Sequence, residues 1–179
     1  MRELFAKALD IPGMDAASAL SRLAIFCALV WAVRFTRRWP GLFILLTLIG
    51  TAAHELLHAF SGLLFAAKPV SLSVIPRRQP DGGWLLGHVH FANLRWWNKL
   101  QVGLAPLALV PLGVWFFWRS IPLPLLSWHN VAYTLAAMQC VFSAWPSRQD
   151  WVHGLVGFLS LLLISAIILF FMVRAGWSL

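Results

Sequence analysis

Between Gly41 and Ala67 the chain is apolar except for one cluster, Gly50-Thr51-Ala52-Ala53-His54-Glu55-Leu56-Leu57-His58, and this combination restricts its folding more than any other feature. The run exceeds the roughly 20 residues that an α-helix needs to cross a bilayer. A carboxylate in hydrocarbon costs about 3 kcal/mol or more unless it lines a polar cavity or meets a cation. The cluster reads His-Glu-x-x-His. On a helix, residues four apart stand one above the other about 6 Å along the axis, so both imidazoles reach one metal ion. Zinc accepts imidazole nitrogen, and Glu55 can take a proton from water at such a metal. The bland alternative is a chance match, with both imidazoles satisfied by neighbouring helices. Against it, two histidines and a glutamate inside one membrane span are costly without a purpose.

With 60% hydrophobic and 11% charged residues and a mean hydropathy of +0.78, the chain is expected to be an all-α polytopic membrane protein. About five transmembrane helices are expected, with a small membrane-surface β-hairpin between the second and third. At 179 residues it has room for one membrane-embedded domain: a lead-in and accessory span through residue 40, a core over 41–154 and a final span over 155–179. Residues 1–18 carry Arg2, Glu3, Lys7, Asp10 and Asp15 and read as an amphipathic lead-in broken at Pro12-Gly13, without the apolar region of a cleavable signal. Cys27 and Cys140 lie in apolar runs far from any CxxC spacing and read as buried thiols. The net charge of +8 points to topology-setting and lipid-facing Lys and Arg, not to nucleic acid.

Taken in order, spans are expected at about 19–33, 41–67, 100–118, 125–145 and from 151 or 152 to 173. The third contains Gly103, Pro106, Pro111 and Gly113. The fourth contains His129, Asn130, Tyr133 and Gln139, and Pro146-Ser147-Arg148-Gln149-Asp150 ends it. Val70 to Ile75 alternates with period two, Arg77 to Gly83 supplies turn residues including Asp81-Gly82, and Trp84 to Phe91 can return as a strand. His88 and His90 share a face of that strand and could bind metal, although an interfacial structural role is the simpler expectation. Arg95-Trp96-Trp97-Asn98-Lys99 is an aromatic and basic interfacial anchor. The N-terminal side would carry Arg2, Lys7, Lys68, Arg77, Arg78, Arg95, Lys99 and Arg148. The other would carry Arg34, Arg37, Arg38, Arg119 and Arg174. That bias expects a multi-pass protein of the cell (inner) membrane, N-terminus cytoplasmic and C-terminus outside.

Over roughly Gly41 to Gly154 the chain resembles the site-2 protease family of intramembrane zinc metalloproteases. That family carries HExxH in a membrane helix, then a membrane-associated β segment, a second helix, and a third with an aspartate in an Asn-x-x-Pro…Leu-Asp-Gly context. His54-Glu55-Leu56-Leu57-His58, Val70 to Phe91 and Gly103-Leu104-Ala105-Pro106 match the first parts. Ser143-Ala144-Trp145-Pro146-Ser147-Arg148-Gln149-Asp150 resembles the last, with Ser143 for Asn, Gln149 for Leu and Trp151 for Gly. The resemblance implies one zinc per chain held by His54, His58 and Asp150, with Glu55 as catalytic base. The implied reaction is hydrolysis of peptide bonds in membrane-spanning or membrane-associated substrates. For the third ligand, His153 is a second candidate, and Asp150 could instead cap the N-terminus of the last helix. A catalytically silent membrane adaptor or chaperone of the same fold, and a zinc enzyme acting on a non-peptide bond, are the other readings.

Overall fold

The computed structural model describes residues 16–80 and 82–174. The lead-in with its Pro12-Gly13 break, Asp81 of the expected turn and the residues past 174 lie outside the described residues. The described chain is mostly helical. Helix α1 (Ala16–Phe35) leads through a 3-10 turn (Thr36–Arg38) into α2 (Pro40–Leu64). Four short strands follow: β1 (Pro69–Ser73), β2 (Arg77–Arg78), β3 (Trp84–Leu85) and β4 (His88–Phe91). Next come α3 (Lys99–Leu104), a 3-10 stretch (Ala105–Ala108), α4 (Leu109–Ser120), α5 (Trp128–Ser143) and α6 (Arg148–Arg174). Pro106 lies in the 3-10 stretch, where its missing N–H breaks the helical ladder.

Among the described residues three helices are long and apolar enough to cross a membrane: Pro40–Leu64, Lys99–Ser120 and Arg148–Leu169. Two of the five expected spans fall outside that set. Helix α5, at 16 residues, reaches only about 24 Å against a hydrocarbon core of about 30 Å. Helix α2 hides its polar residues and shows its apolar ones. Leu45, Ile49, Leu56, Phe60 and Leu63 are exposed, whereas Thr47, Glu55, His58 and Ser61 are buried. That inverts the arrangement of a helix on a water-soluble protein.

The chain divides into two compact units. In the first, Met1–Thr47 with Leu109–Phe142, Phe26 packs on Phe117 with ring centroids 5.1 Å apart. Phe43 meets Phe142 at 6.0 Å, with the Arg37 guanidinium over both rings. Gln139 donates its side-chain amide to the Leu46 carbonyl. Of the two thiols expected to be buried, Cys140 is, but Cys27 is exposed, because α1 turns much of its apolar surface outward.

The second unit, Leu48–Ala108 with Ser143–Leu179, builds the site. Helix α2 ends in a tight reversal. Ala67 N–H donates to the Gly62 carbonyl at 2.7 Å and Ala66 N–H to Leu63 at 3.3 Å, with Ala66 left-handed at φ 53°. This is the Schellman pattern with alanine where glycine is usual. The reversal feeds β1, which pairs antiparallel with β4, Leu72 opposite Val89 and Ser73 opposite His88. β2 pairs with β3, Arg77 opposite Leu85. The expected hairpin thus forms as two short ladders instead of one. Asn98, fully buried, ties its exit to α2: its amide donates to the carbonyls of Phe65 and Asn93, and its oxygen accepts from Arg95 N–H. A residue read as part of an interfacial anchor is a structural clamp.

Candidate metal centre

Helical periodicity stacks His54 and His58 on one face of α2, and each ring is held by a backbone carbonyl. His54 Nδ1 lies 2.7 Å from the Ser143 carbonyl and His58 Nδ1 lies 2.8 Å from the Val102 carbonyl. A carbonyl only accepts, so both Nδ1 atoms carry the proton and, in the neutral rings, both Nε2 atoms present a lone pair. Those two lone pairs face each other at 3.1 Å. The Asp150 carboxylate closes the group, Oδ1 at 3.2 Å from His58 Nε2 and Oδ2 at 3.6 Å from His54 Nε2. Three acceptors converge with no donor among them. One proton bridges only two acceptors, whereas a cation satisfies all three.

The distances suit zinc. Bonds of about 2.0–2.1 Å in a tetrahedron put ligand atoms about 3.3 Å apart. One ligand atom from each of His54, His58 and Asp150 lies within 4.8 Å of the others, so a modest turn of the carboxylate completes the set. Carbonyl partners at Nδ1 are the usual outer-shell supports of metal-ligating histidines, fixing tautomer and ring orientation.

Asp150 occupies a place that suits both of the roles open to it, helix cap and metal ligand. It stands in the first turn of α6, where its Oδ2 accepts from Ser147 N–H at 2.7 Å, while Ser147 Oγ accepts from Asp150 N–H at 3.2 Å. This is a reciprocal capping box. The cap orients the carboxylate and leaves Oδ1 for His58, so capping and ligation are compatible. The Ser-x-x-Asp spacing announces it in the sequence.

Helix α3 sets the separation between α2 and Asp150. Ser61 Oγ donates to the Gln101 carbonyl at 3.0 Å on one side. On the other, Gly103 lies so close to α6 that a Cβ there would stand 2.6 Å from the Asp150 carbonyl oxygen and 2.8 Å from Gly154 N. Glu55 lies beside the histidines, 9% exposed. Gly87, between β3 and β4, covers it: a Cβ at Gly87 would come within 2.6 Å of Glu55 Cγ and 2.9 Å of Oε1.

The two α2 histidines, Glu55, Asp150, Gly87 and Gly103 line a cavity of about 380 Å³. His88 and His90 line it too, their ring centroids 4.8 Å apart on β4. His153 is a cavity wall, its Nε2 3.4 Å from Gln149 Nε2, and is not part of the three-residue group. His129 is on α5 and lies outside both the group and the cavity. Gly103 and Ser143 fall in segments that carry the resemblance, but nothing in the sequence marked the Ser143 and Val102 carbonyls as supports or Gly87 as a site residue. No family model, curated protein or solved structure matches this chain.

Proposed function

We propose that the protein is an integral membrane zinc metalloprotease of the site-2 protease type, hydrolysing peptide bonds within or beside the bilayer. The observation that carries this reading is the convergence of His54 Nε2, His58 Nε2 and the Asp150 carboxylate within 3.1 to 3.6 Å of one another on the polar face of an apolar helix, where neutral rings would leave three acceptors without a donor. Three protein ligands leave one position open, as catalytic zinc sites do and structural ones do not. When bound, zinc supplies a Lewis acid that lowers the pKa of water towards about 7 and polarises a peptide carbonyl.

The remaining chemistry belongs to the chain. Glu55 makes no hydrogen bond to the histidines and lines the same cavity, so its carboxylate is available to take a proton from water and deliver it to the leaving amine. A membrane-spanning substrate must be locally unwound, since its helical backbone groups are already paired. β4 is paired on one side by β1 and lines the cavity, so its other edge can hold an extended segment by strand addition. Helices α1 and α5 would supply the other two of five spans, with the hairpin on the cytoplasmic side.

The test is cleavage of single-span substrates in liposomes, wild type against Glu55→Gln, with metal analysis of both. The proposal expects one zinc per chain in each and a loss of hydrolysis of at least about 10²-fold in the variant. Equal cleavage by Glu55→Gln would overturn the mechanism. Absence of cleavage by wild type, with the cellular phenotype of Glu55→Gln intact, would favour the adaptor.

A further inference from the structure

The first unit holds a second, larger cavity of about 570 Å³ that takes no part in the metal site. Its walls are graded. One end has Arg22, Ser120 and Asn130; the walls beyond are Ile25, Leu29, Phe117, Val131 and Leu135, with Thr134 the polar side chain among them. From Arg22 to Leu29 helix α1 rises about 10 Å, so polar and apolar ends are separated along the helix axis.

Arg22 is the feature without an explanation. Its Nη1 donates to the Ser120 carbonyl at 3.2 Å and its Nη2 to the Leu123 carbonyl at 2.8 Å. The Ser120 carbonyl is shared with Asn130 Nδ2 at 2.7 Å. Nε is buried with no partner. A guanidinium has five N–H donors, and carbonyl dipoles do not neutralise its charge. The carboxylates among the described residues are Glu55 and Asp150, and both line the other cavity. The cation therefore has no counter-ion among the described residues, at the end of a hydrocarbon-lined cleft.

We infer that this cleft binds one anionic phospholipid of the surrounding bilayer, its phosphate paired with Arg22 and an acyl chain along Ile25, Leu29 and Leu135. Guanidinium and phosphate match as a planar donor fork to a multi-oxygen anion. The Ser120 and Leu123 carbonyls hold the arginine in place, and the apolar walls take the chain. Leu126, 96% exposed at the rim, leaves the entrance lined with hydrocarbon. The inference rests on the membrane part of the proposed function and not on its metal chemistry.

Native mass spectrometry of the detergent-purified full chain tests it, with phosphatidylglycerol, phosphatidylcholine of the same acyl chains, and oleate as probes. Wild type should keep one phosphatidylglycerol per chain and bind phosphatidylcholine about tenfold more weakly. Arg22→Gln should lose that preference, and Leu29→Trp, which fills the apolar end with Arg22 intact, should lose phosphatidylglycerol as well. The thermal transition reports that each variant is folded. Equal retention of both phospholipids by wild type, undiminished phosphatidylglycerol on either variant, or its displacement by equimolar oleate would overturn the assignment. Zinc content and hydrolysis are expected to be unchanged in both variants, so failure here and failure of the protease reading give different results.

Discussion

Replacing Gly103 by alanine adds one methyl group where two helix backbones touch, with every proposed metal ligand left in place. The new Cβ would stand 2.6 Å from the Asp150 carbonyl oxygen, and ordinary contact begins at 3.4 Å. Backbone cannot rotate away as a side chain can, so α3 and α6 must separate by about 0.8 Å at that point, as steric overpacking requires. Gly103 follows Val102, whose carbonyl holds His58, so the displacement falls directly between the histidines and Asp150. Overpacking of this kind costs about 1–3 kcal/mol in stability. A ligand shifted by nearly 1 Å should weaken zinc by about tenfold or more, equivalent to about 1.4 kcal/mol. Titration of the metal-free protein with zinc reads the second effect and a thermal transition the first. Gly41→Ala is the control, since nothing lies within 4 Å of its Cβ. Unchanged zinc affinity in Gly103→Ala would refute the claim that α3 spaces the ligands.

Asp150→Asn keeps a side chain that caps about as well but loses the anionic ligand, so zinc content should collapse while the melting point of the metal-free protein barely moves. His153→Ala should leave zinc in place; loss of metal in that variant alone would transfer the third-ligand role. Gly87→Ala should displace the Glu55 carboxylate and lower hydrolysis by about tenfold or more with zinc retained, measured by cleavage and metal analysis together. Asn98→Ala leaves the Phe65 and Asn93 carbonyls and Arg95 N–H without their partner, a loss of about 2–4 kcal/mol that denaturant unfolding in detergent will register.

What the residue order determined alone is what short-range physics controls. Helical period put His54 and His58 on one face, and period-two alternation with turn residues located the Val70–Phe91 hairpin. Apolar run length marked five spans, of which α2, the α3–α4 segment and α6 are long and apolar enough to cross a bilayer among the described residues. Capping by Asp150 is also local, although the helix begins at Arg148, ahead of the expected 151 or 152, and Ser147 shares the cap. Other features were decided by packing. Nothing local in the sequence shows that the Ser143 carbonyl, 89 residues from His54, fixes that ring's tautomer, or that Val102 does the same for His58 across 44. Gly103 could be read as a tolerated helix breaker until the approach of α6 showed a contact no side chain permits. Gly87 falls within the expected returning strand, and only packing places Glu55 against it. Cys27 was expected inside because it is apolar, yet exposure depends on which way α1 turns. The physical reason is common to all of these: local rules set which groups share a face, and only the packing of distant helices sets what that face meets.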